Sequence, residues 1–178
     1  PILVPRMGVV EAMVAAARAQ IAASEVPELF SKSGHAERTM IWADGIWWRS
    51  RPDWIAPDGR VIADLKTTGN AEPGAWARGP LNDYEFDLQA MLALRGATAL
   101  LGPAERSFIF VVLETTPPYA LSLVSLAPQF IDFAERKLSK AGGIWRTCLA
   151  RNEWPAYPSR VCWVDPPSWV TMRWDDRA

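Results

Sequence analysis

The sequence predicts an α/β fold (α+β in the strict sense), with a central mixed β-sheet flanked by helices. Three observations predict it. Short apolar runs from Arg38 to Lys66 are joined by turn chemistry at Ala43-Asp44-Gly45 and Pro57-Asp58-Gly59-Arg60. A stretch with helical spacing of apolar residues follows, from Asn82 to Leu94. A second β-branched and aromatic run, Ser107 to Glu114, comes after it.

Taken in order, Val9 to Ala23 is Ala-rich and reads as a helix, with Val10, Met13, Val14, Ala17 and Ile21 as its apolar stripe. Pro27 breaks it, and Glu28-Leu29-Phe30 continues as a short helix ended by Ser33-Gly34. Strands are expected at 38–42, 46–54 and 61–66, three in succession. Gly69 to Pro80 reads as loop, because Gly69-Asn70, Pro73-Gly74 and Gly79-Pro80 are all turn pairs. Asn82 or Asp83 can cap the next helix, whose stripe is Phe86, Ala90, Ala93 and Leu94. Gly96 and Gly102-Pro103 flank a short apolar link after it. Strands at 107–114 and 119–125 are separated by Pro117-Pro118. Ala127 to Ala150 reads as a long helix, weakened at Gly142-Gly143. Beyond Asn152, four prolines forbid long regular elements, and the tail's aromatics are expected to pack over the core or at a subunit contact.

The chain has 178 residues, which fits a single domain over 1–178 with a core of its own. Hydrophobic residues make up 49% and charged residues 22%, the balance of a globular protein. The net charge of −1 is not the footprint of a strongly basic nucleic-acid binder, but it permits a local basic channel. Two cysteines, Cys148 and Cys162, exclude a disulfide framework and a four-cysteine iron–sulfur cluster. No stretch is apolar enough to span a membrane, and no secretory pattern is visible. A cytoplasmic location is therefore expected.

The chemistry concentrates on the 61–66 strand. Side chains alternate faces along a strand, so Ile62, Asp64 and Lys66 share one face and Val61, Ala63 and Leu65 the other. Asp64 and Lys66 interrupt a strand that is otherwise apolar, and Asp53 on the preceding strand reaches the same spot. Asp53 and Asp64 would offer anionic oxygens and the Leu65 carbonyl a neutral one. That is a donor set for Mg²⁺, a hard ion that keeps several waters. The ion would make a water more acidic at neutral pH, with Lys66 orienting it or stabilising charge on a phosphoryl group. Taken alone, an Asp-x-Lys triplet is common by chance and reads as an ion pair on a surface hairpin. Gln89, near a buried helical stripe, needs hydrogen-bond partners. Trp76 and Arg78 are candidate contacts for DNA, a base stacking on the indole and a phosphate on the guanidinium. A Trp76 tucked onto the domain is the equal alternative. Arg51 lies with Arg49, Arg78, Arg95 and Lys66 in the middle of the chain, where they could face DNA phosphates.

The ordered set R-P-D-W (from Arg51), D-L-K-T-T (from Asp64), Y-x-x-x-x-Q (Tyr84 to Gln89), the 107–114 strand and E-W-P-x-Y (from Glu153) resembles the RecE-type, exodeoxyribonuclease VIII-like exonucleases of the PD-(D/E)xK nuclease superfamily. The likeness spans roughly Val9 to Trp169, and Glu37-x-Thr39-x-Ile41-Trp42-x-Asp44 resembles that family's first strand. The resemblance implies that superfamily's fold. It implies Mg²⁺-dependent digestion of linear double-stranded DNA, 5′ to 3′, in phage-type homologous recombination, with Mn²⁺ expected to substitute. It carries Asp53 and Asp64 over as metal ligands, Lys66 as the catalytic lysine, Gln89 near the metal or DNA phosphates, and Tyr84 as an aromatic of the same motif. It also implies a homo-oligomer and a single-strand annealing partner. The family's active-site histidine on an early helix has no counterpart. His35 falls in a loop entering a strand, and Glu11, Glu25 and Glu28 are the helix carboxylates available in its stead. That helix is expected before Pro1, since the chain starts without Met. The alternatives are a structure-specific or restriction-type endonuclease, or a non-catalytic DNA-binding or assembly module on this fold.

Overall fold

The computed structural model describes residues 4–176. The chain is a mixed α/β protein whose central mixed sheet is flanked by helices. Contacts group it into two units, Pro1–Arg146 and Thr147–Ala178.

In the first unit, α1 (Val4–Ala22) leads to a five-stranded sheet in the order β1-β4-β5-β6-β7. Its strands are β1 (His35–Ala36), β4 (Trp54–Ile55), β5 (Val61–Thr68), β6 (Ser107–Glu114) and β7 (Leu121–Ser125). β2 (Met40–Ala43) and β3 (Trp47–Ser50) form a separate antiparallel hairpin across Gly45, whose φ of +68° suits glycine. The three successive strands expected in one sheet are thus divided. The expected 46–54 strand breaks at Arg51-Pro52-Asp53, since Pro52 has no N–H for a ladder. β3 stays with the hairpin, and β4 pairs antiparallel with β5 through Trp54 and Ala63. β5 and β6 pair in parallel over eight residues, from Val61 with Ser107 to Thr68 with Glu114.

A parallel pair needs a crossover, here built from α2 (Pro73–Arg78), α3 (Pro80–Asp83) and α4 (Phe86–Leu101). α2 occupies what the turn pairs marked as loop. Pro73 sits in its first turn, where a missing N–H costs nothing, and the Glu72 carboxylate accepts from the Gly74 and Ala75 amides. The expected Asn82 or Asp83 cap serves no long helix. The chain turns at Tyr84-Glu85, Glu85 takes a left-handed φ of +51°, and α4 starts at Phe86 with no side-chain cap. α4 also runs past its expected end, through Gly96 to Leu101. Gly96 faces the Trp42 ring, and a Cβ there would lie 2.7 Å from it. α5 (Pro128–Arg151) likewise runs through Gly142-Gly143, because Gly142 makes room for Trp48.

One face of the sheet (Ile62, Phe108, Phe110, Val112) packs on α4 and the hairpin. The other face (Ala63, Val111) packs with Trp54, Leu29 and Ile21. Of the stripe expected on α1, only Ile21 is buried, and Val10 and Val14 are exposed. Residues 27–30 form turns rather than a short helix. α1 is tied to β7 by Gln20, which donates to the Tyr119 carbonyl (2.8 Å) and accepts from the Leu121 amide (3.0 Å). α5 is pinned to α4 by Arg95, which grips Glu135 through both carboxylate oxygens. The second unit contains α6 (Ser168–Asp175), a short helix of eight residues just after Pro167. Its aromatics are largely exposed, Trp163 at 94%. No helix among the described residues is long and apolar enough to cross a membrane.

Two expectations follow. Gly96→Ala forces a Cβ against Trp42 and costs about 1–3 kcal/mol of stability in urea unfolding. The Arg95 hydrogen bonds hold Glu135 below its ordinary carboxylate range, outweighing burial. A depressed folded pKa gives stability that is present above the unfolded value of 4.5 and lost as pH falls through the folded one. The pair is partly exposed, so Glu135→Gln should cost about 1 kcal/mol or less at pH 7. The difference from wild type should close as pH falls below the ordinary carboxylate range, through the lowered folded value.

Candidate active site

Asp64 is the buried centre of the site. It sits mid-strand in β5 at 2% exposure, with Ile62 and Ala63 fully buried before it. Strand alternation places Lys66 on the same face, and its Nζ donates to Asp64 Oδ2. Gln89, on the first turns of α4, donates through Nε2 to Asp64 Oδ1 at 2.8 Å. Both carboxylate oxygens are therefore satisfied inside the protein, as a buried charge requires.

Asp53 arrives from the other side. β4 begins only at Trp54, opposite Ala63, so the Leu65 amide has no partner from that strand. The Asp53 carboxylate takes that N–H through Oδ2 at 2.7 Å. A strand residue's N–H and C=O leave on the same side, so the Leu65 carbonyl also points toward Asp53. Among the described residues, Asp53 Oδ1 accepts no hydrogen bond. Burial raises the Asp64 pKa above its ordinary value of 3.8. The Lys66 hydrogen bond and charge oppose this, and the charge of Asp53 adds to it. A divalent cation between the carboxylates would relieve both the burial and the repulsion. Among the described residues no three His, Cys, Asp or Glu side chains group to hold an ion alone. Two carboxylates and a carbonyl fit an ion that keeps several waters, as Mg²⁺ does, rather than a closed four-ligand site.

Aromatic packing fixes the lysine. Lys66 Nζ lies 4.5 Å from the Phe86 ring centroid, close enough for a cation–π contact. Phe86 stacks with Trp76 at 5.9 Å and with Tyr84 at 5.5 Å. Trp76 is 1% exposed, tilted against Phe110, so the expected base-stacking role on DNA is corrected to a core role. Tyr84 is 70% exposed beside the site, on the turn before α4. Arg78 closes α2, one residue before the turn into α3. Arg51 precedes Asp53 but pairs with Glu37 at 3.1 Å, both exposed. The structure thus brings Asp53, Asp64, Leu65, Lys66 and Gln89 together and leaves Trp76 behind them. Glu25 and Glu28 line a different cavity, with Pro57 and Asp58. His35 is at the sheet edge in β1, and neither it nor Glu11 bonds to any residue of the site.

Phe86 belongs to the expected apolar stripe, but its contact with Lys66 carries no signal in the sequence pattern, and the support behind α4 carries little. Asp87 is 2% exposed, and Lys137 of α5 bonds both its oxygens at 3.1 Å and reaches Glu85 at 3.4 Å. This fixes the turn that presents Phe86 and Gln89. An acid in the first turn of a mostly apolar helix was the available signal; its partner lies 50 residues away. Lys137→Met leaves Asp87 buried and unpaired, and should cost about 3 kcal/mol or more in denaturant unfolding. The double variant Asp87→Leu/Lys137→Met should recover part of that loss.

The family described as "PDDEXK-like domain of unknown function (DUF3799)" matches residues 3–163. The chain belongs to that family. A crystal structure of a "Putative exonuclease" from Eubacterium rectale is similar in fold, with a TM-score of 0.62 and 14% identity. The match covers 90% of this chain and 64% of that one, so this chain spans under two thirds of its length. No curated protein matches the chain in sequence.

Proposed function

We propose that this PDDEXK-like chain is a divalent-metal-dependent exodeoxyribonuclease that digests linear double-stranded DNA from 5′ ends in phage-type recombination. The observation that carries the reading is the meeting of Asp64, Lys66, Gln89 and Asp53 at one point on β5. Family membership supports nuclease chemistry, and the Eubacterium rectale neighbour's description supports the exonuclease reading. The 5′ polarity, the recombination role, the annealing partner and a homo-oligomer rest on the resemblance of the sequence motifs.

Hydrolysis adds water across one P–O bond, leaving a phosphomonoester and a hydroxyl. Asp53, Asp64 and the Leu65 carbonyl would hold Mg²⁺, or Mn²⁺ in its place. The ion when bound would supply Lewis-acid charge at the scissile phosphate. Lys66, held by Asp64 and by the face of Phe86, presents its remaining N–H donors to the phosphoryl oxygens, where negative charge builds. Gln89 keeps the Asp64 carboxylate in one orientation. Tyr84, exposed at the edge of this cluster, is placed for contact with a DNA strand, with Arg78 and Arg51 as further cationic contacts.

The test is linear duplex DNA labelled at one end in turn, with Mg²⁺ or with chelator. Metal-dependent release from 5′ ends, with covalently closed circles intact, is expected. Cutting of circles would convert the reading to an endonuclease. No hydrolysis with any divalent ion would leave a DNA-binding or assembly module. Lys66→Ala should lower the cleavage rate about 100-fold or more, with the far-ultraviolet circular dichroism unchanged. Full activity in that variant would remove the lysine from the mechanism.

A further inference from the structure

We propose that a second, cationic cleft at the start of β5 binds a nucleoside monophosphate through its phosphate. The cleft is a cavity of about 580 Å³, within the range of small-ligand pockets. It lies between the turn at residues 57–60, the segment after β1, and the last turn of α4. None of Asp53, Asp64, Lys66 or Gln89 lines it. Arg60 is four residues before Asp64 on extended chain, roughly 13 Å away.

Three arginines face this cavity in a chain of net charge −1: Arg38, Arg60 and Arg106. The partners of two of them are neutral acceptors. Arg106 donates to the Gly59 carbonyl (3.0 Å) and the Thr98 hydroxyl (3.3 Å). Arg38 Nη2 lies 3.3 Å from His35 Nδ1. A guanidinium only donates, so Nδ1 is the acceptor in this contact. The one carboxylate in the lining, Asp58, accepts the Arg60 backbone amide at 3.0 Å and stands 4.0 Å from the Arg60 side chain. It is engaged in the turn and offsets one charge of three. Guanidinium groups match phosphate oxygens two at a time, and among the described residues no anion meets the donors of Arg38 or Arg106.

The rest of the lining selects for more than a bare anion. Leu100 and Leu101 line the cleft while 49% and 57% exposed. Leu101 packs over Gly59, where a Cβ would come within 2.7 Å of its Cδ1. An apolar wall beside a cationic floor fits a ligand with a phosphate at one end and a sugar and base at the other. The proposal shares no residue with the hydrolytic site, so it stands or falls separately from that reading.

Isothermal titration of the full chain in chelator tests it, using deoxyadenosine 5′-monophosphate, inorganic phosphate and deoxyadenosine as separate ligands. The monophosphate should bind at least tenfold more tightly than either of the others. The exposed pair Arg38→Ala/Arg60→Ala should weaken it tenfold or more, since each loses a charge-assisted bond. Lys66→Ala should leave the affinity unchanged. Absence of binding at millimolar nucleotide would overturn the proposal. So would equal affinity in the double-arginine variant, or loss of binding in Lys66→Ala, which would place the nucleotide at the hydrolytic site. Inorganic phosphate binding as tightly as the nucleotide would remove the role of the apolar wall and with it the nucleotide assignment.

Discussion

A carboxylate at 2% exposure in the middle of a strand is the constraint on which the site depends. An unpaired charge at Asp64 would cost several kcal/mol. The strand's own alternation supplies the first partner, Lys66. The second, Gln89, comes from a helix that must start at the right place and lie against the right face. Burial still holds the Asp64 pKa above its ordinary value. An acid with a raised folded pKa opposes folding increasingly as pH climbs through the range above 3.8. Ionised Asp64 is therefore suited to receive further positive charge.

The packing explains how the arrangement persists. β5 is clamped between an antiparallel neighbour that stops short and a parallel neighbour that runs its full length. The short neighbour frees the Leu65 amide for Asp53, and the long one fixes the strand. The crossover between β5 and β6 brings α4 onto the same face, where the buried Trp76 stacks on the partly buried Phe86. Lys137 then fastens the uncapped start of α4 from behind through Asp87. Each of these contacts restrains Lys66 or Gln89 without itself meeting the carboxylate.

Much of this was legible in the chain. The period of two put Asp64 and Lys66 on one face, and the structure has them hydrogen-bonded. The β6 strand has the expected bounds, and the flanked mixed sheet is the expected fold class. The failures share a cause: local signals were read without knowing what they pack against. Pro73-Gly74 reads as a turn, yet a proline in a first turn and a Glu72 cap build a helix that buries Trp76. Gly96 and Gly142 look like breaks until Trp42 and Trp48 are placed against them. Pro52 did carry the signal that splits the 46–54 strand, but only the sheet shows which half pairs with β5. Of the Asp87–Lys137 pair only the acid in the first turn of an apolar helix carries a signal, because nothing local links residues 50 apart.

The central claim is that Asp53 and Asp64 converge on one cation. Electron paramagnetic resonance titration of the protein with Mn²⁺, without DNA, tests it most directly. The account predicts saturable binding that weakens at least tenfold in Asp53→Asn and in Asp64→Asn alike, with both variants folded. Mn²⁺ affinity unchanged by either substitution would contradict it.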